Sequence, residues 1–214
     1  MESVIERISQ LKLVPVVKLE NPVDAVPLAR ALIEGGLPIA EITFRTDAAE
    51  QAIKNIKEEV PEIFLGAGTV LTVENVKKAV DAGATFIVTP GFNPEVVDYC
   101  LEHDIVITPG VNSPTQVEMG LSRGLTVLKF FPAEVSGGIK MLKAFAGPYT
   151  GVKFIPTGGI KADNLADYLA TKNVLACGGS WIASSSLIAE GKFDEITALV
   201  KEAVEVINTV TSPR

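Results

Sequence analysis

Residues 63–90, IFLGAGTVLTVENVKKAVDAGATFIVTP, hold the pattern that decides the fold. IFLGAG (Ile63 to Gly68) and TFIVTP (Thr85 to Pro90) are apolar runs of strand length. Between them, TVENVKKAVDAG sets apolar residues three and four apart, the spacing of an amphipathic helix. Gly83 stands just before the second run, where a helix needs a left-handed cap, and Gly35-Gly36 and Gly124 stand in the same place elsewhere. The alternation continues in both directions. VPVVK (Val14 to Lys18) and IAEITF (Ile39 to Phe44) precede it. IVITPG (Ile105 to Gly110), TVLKFF (Thr126 to Phe131), VKFIPT (Val152 to Thr157) and VLACGG (Val174 to Gly179) follow, which makes eight strand-like runs. Helical segments such as PVDAVPLARALIEG separate them, so the expected class is α/β, a parallel sheet covered by helices.

The count of eight favours a closed (β/α)8 TIM barrel over an open doubly wound sheet. So does the polar or Gly/Pro-rich turn at the C-terminal end of each run, the face where barrel active sites assemble. An N-terminal helix in MESVIERISQLK precedes the first strand. No linker or low-complexity segment divides the chain, so residues 1–214 read as a single barrel domain, with 47% hydrophobic residues to fill its core. The net charge of −7 argues against a sequence-independent grip on nucleic acid or an anionic membrane, though not against a small basic pocket. The first residues lack a continuous apolar stretch and so do not read as a signal peptide, and no apolar run approaches membrane-span length; the expected location is the cytoplasm. Cys100 and Cys177, without CxxC spacing, read as reduced thiols. His103 in CLEHD is the only histidine and reads as a solvated helix end; a His-rich metal centre is excluded, carboxylate-only Mg²⁺ binding is not.

Three groups of residues point to chemistry. Lys129 is the lone charge inside the apolar run TVLKFF. Burial there disfavours the ammonium form and frees a neutral amine to attack a ketone; a lysine snorkelling outward from an edge is the alternative. Glu41, Thr43 and Arg45 alternate in EITFRT, which puts them on one strand face. Glu41 suits proton transfer and Arg45 offers a planar fork for a carboxylate, unless the two form a structural ion pair. Finally, PTGGI (Pro156 to Ile160) and CGGSW (Cys177 to Trp181) close the last two runs. Glycines at those two positions of a barrel let backbone N–H groups approach a phosphate, and Ser180 adds a hydroxyl.

EITFRT, GAGTV, KFFPAE, PTGGI and GGSW, in this order and spacing, resemble the 2-keto-3-deoxy-6-phosphogluconate (KDPG) and 4-hydroxy-2-oxoglutarate aldolases over almost the whole chain. The resemblance implies a homotrimeric class I aldolase of the Entner–Doudoroff pathway, splitting KDPG into pyruvate and glyceraldehyde 3-phosphate without metal or organic cofactor. It implies Lys129 as the Schiff-base lysine and Glu41 as the general acid/base. Arg45 and Thr69 would hold the pyruvate carboxylate, and Pro90 and Phe131 would wall the reacting carbons. Thr157 would contact a substrate hydroxyl, and Gly158, Gly159, Gly179 and Ser180 would cradle the phosphate. Some members carry Arg at the end of the first strand where this chain has Lys18, which would meet an anion only as a point charge.

Three rivals share these features. An aldolase for the galactonate epimer, or for unphosphorylated 2-keto acids, is the nearest; Thr157 favours the gluconate series by the same resemblance. A barrel that binds a phosphorylated ligand without turning it over would not need a buried amine beside Glu41. A phosphosugar isomerase or decarboxylase is open to the same fold.

Overall fold

The computed structural model describes residues 3–211 of the chain. Its strands are β1 (Leu13–Val17), β2 (Ile39–Thr43), β3 (Phe64–Gly68), β4 (Phe86–Val88), β5 (Ile107–Thr108), β6 (Gly110–Val111), β7 (Val127–Phe130), β8 (Lys153–Pro156) and β9 (Cys177–Gly179). Between and around them run α1 (Val4–Leu11), α2 (Ala25–Glu34), α3 (Ala48–Glu59), α4 (Val73–Ala82), α5 (Pro94–Glu102), α6 (Pro114–Leu121), α7 (Gly138–Phe145), α8 (Leu165–Leu169), α9 (Ser185–Ala189) and α10 (Phe193–Thr211). Every strand pair is parallel. The class is α/β with parallel sheets, arranged as a half-barrel.

The expectation of one eight-stranded sheet is met only in part. The ladders divide into a six-stranded sheet, β5-β4-β3-β2-β1-β9, and a three-stranded sheet, β6-β7-β8. The break falls at Pro109, between Thr108 and Gly110, where the fifth run splits in two. Proline has no N–H to give to a ladder, so a strand is interrupted there. On the other side, β8 and β9 are linked by isolated bridges, Phe154 with Val174 and Thr157 with Gly178.

Alternation along β7 fixes where Lys129 points. Phe130 faces outward into an aromatic cluster, edge-on to Phe145 of α7 at 6.1 Å and to Phe154 at 6.4 Å. Leu128 packs under Gly120 of α6 on the same side. With its two neighbours committed to the helix layer, Lys129 must face the interior. At the other end, Ser3 and Glu6 form a capping box on α1, and Ile8 of that helix is buried in the wall of the same interior.

One detail revises the sequence reading of the caps. Gly36, Gly83 and Gly124 have positive φ as expected, but Gly35 is right-handed at −70°. It is small for a different reason: a Cβ there would lie 2.5 Å from Val200 Cβ on α10. His103 ends α5 as expected, exposed and stacked on Tyr99. Both cysteines are buried, and burial pushes the Cys100 thiol up to about 11 and the Cys177 thiol up as well. Near neutral pH they stay protonated and are poor nucleophiles. No described helix is long and apolar enough to cross a membrane.

Gly35→Ala should therefore cost about 1–3 kcal/mol, the usual range for overpacking, despite alanine's better helix propensity. Urea unfolding monitored by circular dichroism measures it; a stabilised variant would show that the contact between α2 and α10 yields easily.

Candidate active site

Lys129 and Glu41 meet inside the sheet. Lys129 Nζ lies 3.3 Å from Glu41 Oε1, and each side chain is 5% exposed. The same cavity is lined by Thr157 of the turn after β8 and by Thr108 of β5, with Val14, Phe86 and Ile155 supplying apolar wall. Lys129 does not snorkel outward. Nor does Glu41 pair with Arg45, the structural alternative that the sequence left open, because the carboxylate is engaged with Lys129.

Glycines make the room. Gly68, at the end of β3, sits where a Cβ would overlap the Glu41 carboxylate, within 2.7 Å of its Cδ. Gly66 leaves space in the same way for the Phe86 ring. Directly after Gly68, Thr69 adopts a left-handed φ of 53°, which is strained for a β-branched residue. Its hydroxyl accepts a 3.0 Å hydrogen bond from Arg45 Nε. Arg45 is exposed and stands beyond the end of β2, so it does not share a strand face with Glu41 and Thr43 as expected; the strand stops at Thr43, where Arg45 N turns back to Thr43 O at 2.8 Å. Thr43 is buried and donates to Val17 O at 2.9 Å, a structural bond.

Phe131 stands between the two ends of the site. Lys129 Nζ is 5.4 Å from its ring centroid, and its ring edge lies 3.4 Å from where a Gly158 Cβ would be. Gly158 and Gly159 both have positive φ, at 97° and 85°. The bridge between Thr157 and Gly178 sets this turn beside Gly179 and Ser180, as the sequence reading expects of neighbouring strands. Gly179 leaves room for the Trp181 ring, and exposed Ser180 precedes a single 3-10 turn, Trp181–Ala183, without capping it. Gly159 faces the stem of Glu134, so a side chain there would strike Glu134 before it could shield an anion.

Two residues stand apart. Pro90 lines a neighbouring cavity with Leu71 and Thr89, and its carbonyl lies where a Cβ on Gly110, the residue in register with Lys129, would fall. Lys18, just past β1, is half-exposed and paired with Glu20. Sequence reasoning missed Thr108, although IVITPG ends in the same polar-then-proline pattern as the other strand ends. Among the described residues, no three His, Cys, Asp or Glu side chains gather as metal donors.

A buried amine against a carboxylate, with an exposed guanidinium on one side and a glycine turn on the other, is able to form an imine on a ketone and to move its protons. Fold and site together fit the class of lysine-dependent enzymes that act on carbonyl compounds. The model of the KDPG and KHG aldolase family matches residues 4–199. A 2-dehydro-3-deoxy-phosphogluconate aldolase of Treponema pallidum is 50% identical over 210 residues, covering 98% of this chain and 100% of that protein. A KDPG aldolase from Legionella pneumophila, solved with pyruvate captured at low pH as a covalent carbinolamine intermediate, matches with a TM-score of 0.90 at 38% identity, over 93% of this chain and 97% of that one. The Zymomonas mobilis aldolase, solved with 3-phosphoglycerate, matches at 0.86 and 39%, over 95% and 96%. The chain belongs to the KDPG and KHG aldolase family. It is an aldolase, a carbon–carbon lyase.

Gly68→Ala should displace the Glu41 carboxylate and lower kcat by about 10²-fold, the loss expected when a catalytic group is misplaced by roughly 1 Å. Steady-state kinetics beside an unfolding curve checks this; unchanged kcat would show that the carboxylate does not need the place it occupies.

Proposed function

We propose that this protein cleaves KDPG to pyruvate and glyceraldehyde 3-phosphate through an imine on Lys129, and that it also acts on 4-hydroxy-2-oxoglutarate. The observation that carries the reading is the sealed pair, Lys129 Nζ 3.3 Å from Glu41 Oε1. Glu41 takes the ammonium proton, and the neutral amine adds to the C2 ketone. A proton moves from the added nitrogen to the alkoxide to give the carbinolamine, and Glu41 then gives its own proton to that hydroxyl, which leaves as water, so that a protonated imine remains. The Glu41 carboxylate next removes the C4 hydroxyl proton. The C3–C4 bond breaks, its electron pair passes into the imine, and glyceraldehyde 3-phosphate departs from an enamine. Glu41 gives its proton to C3, and water adds to the imine carbon, releasing pyruvate and returning Lys129 as the ammonium beside the Glu41 carboxylate. The cycle requires no metal and no organic cofactor.

The remaining roles are those that the family resemblance implies. Arg45, preset by its bond to Thr69, holds the keto-acid carboxylate. Phe131 and Pro90 wall the reacting carbons and Thr157 meets a substrate hydroxyl. Gly158, Gly159, Gly179 and Ser180 receive the phosphate through backbone N–H groups and one hydroxyl. Lys18 adds a charge at the rim, shared with Glu20. The pyruvate carbinolamine of the Legionella aldolase and the 3-phosphoglycerate held by the Zymomonas aldolase support the two ends of this reading. The galactonate epimer is the less favoured substrate. We further propose that the two sheets close into a complete (β/α)8 barrel across Pro109 and the β8–β9 bridges, that residues 1–214 are one domain, and that the protein works as a cytoplasmic homotrimer.

The division of labour is testable with pyruvate release from KDPG. Glu41→Gln should lower kcat by about 10²- to 10⁴-fold with little change in KM. Arg45→Ala should chiefly raise KM for the keto acid. Interchangeable kinetic profiles would overturn the assignment of proton transfer to one residue and carboxylate binding to the other.

A further inference from the structure

Glu134 and Tyr168 have no part in the chemistry above, yet they converge on the turn proposed to hold phosphate. Tyr168, on α8, is 1% exposed, and its hydroxyl donates to Glu134 Oε1. Burial and this bond push the tyrosine upward from its ordinary range, so the hydroxyl stays a donor throughout the working pH range. Glu134 ends the KFFPAE segment, five positions after Lys129. Its backbone N–H donates to Gly158 O at 3.1 Å, and its stem lies against Gly159, where a Cβ would fall 2.7 Å from Glu134 Cβ. From the other side, Asn164 Nδ2 donates to Gly159 O at 3.0 Å, and Asn164 O in turn accepts from Tyr168 N at 3.2 Å. With the Gly158 and Gly159 carbonyls both occupied by the protein, the turn is held from behind.

We infer that Tyr168 and Glu134 are positioning residues for the phosphate end of the substrate, fixing the Gly158-Gly159 turn so that its N–H groups are preset for an anion. The carboxylate itself is turned to Tyr168 and Gly138, the first residue of α7, where a helix N-terminus favours negative charge. A flexible glycine pair would lose entropy each time it ordered around a phosphate; a clamped one does not. The inference rests on the proposed phosphate cradle and would fail separately from it.

Tyr168→Phe removes one hydroxyl and keeps the buried ring. KM for KDPG should rise about tenfold, the factor expected from one charge-assisted hydrogen bond, while kcat on KDPG and kcat/KM on unphosphorylated 4-hydroxy-2-oxoglutarate stay within about twofold. Glu134→Ala should reproduce that split, and serves alone if the tyrosine variant does not fold. Glu134→Gln, which keeps an acceptor for the hydroxyl, should restore most of the affinity. Equal losses on both substrates, or no loss on KDPG, would overturn the positioning role. A wild-type enzyme that handles both substrates alike would instead overturn the phosphate cradle.

Discussion

Two opposite charges share an almost closed cavity inside a parallel sheet, and the site takes its form from keeping them there. At 3.3 Å and an effective dielectric of about 20, Lys129 and Glu41 attract each other by about 5 kcal/mol. Withdrawing each ion from water costs several kcal/mol. The pair therefore adds no net stability, and the apolar core must hold the fold in which it is confined. What confinement supplies, in the proposed mechanism, is chemistry: an amine and a carboxylate 3.3 Å apart can exchange a proton without crossing water.

The surrounding residues can be read as consequences of that confinement. Leu128 and Phe130 bury themselves against helices and so turn Lys129 inward. Gly68 gives up its side chain to the space the Glu41 carboxylate fills, and the chain then pivots through the left-handed Thr69, whose hydroxyl steadies Arg45 at the rim. In the proposed site, exposure rises from the buried pair to the guanidinium of Arg45 and the hydroxyl of Ser180, both exposed. A ligand with a keto group between a carboxylate and a phosphate matches that gradient.

Much of this was legible in the sequence because it is periodic or local. Strand and helix positions follow from apolar spacing, and Lys129 and Glu41 stand out as charges in apolar runs. Legibility failed wherever a distant part of the chain decides. Thr108-Pro109-Gly110 reads as a strand-ending turn, yet the chain resumes pairing at Gly110 in the other sheet, a choice of partner that apolar spacing does not encode. The alternation of Glu41, Thr43 and Arg45 suggested one face, but the strand ends before Arg45. Gly159, read as an opening for phosphate, is also required by the stem of Glu134, and Gly35 by Val200; neither partner is near in sequence. Tyr168 and Glu134 stand 34 positions apart, and only the fold brings them together.

The central claim is that Lys129 forms the covalent intermediate. Incubating the enzyme with pyruvate and borohydride, then mapping peptides by mass spectrometry, tests it directly. The account predicts one stable adduct, on the peptide containing Lys129, and none in Lys129→Ala. An adduct on Lys18 or Lys153, or turnover of KDPG with no trappable adduct, would contradict it.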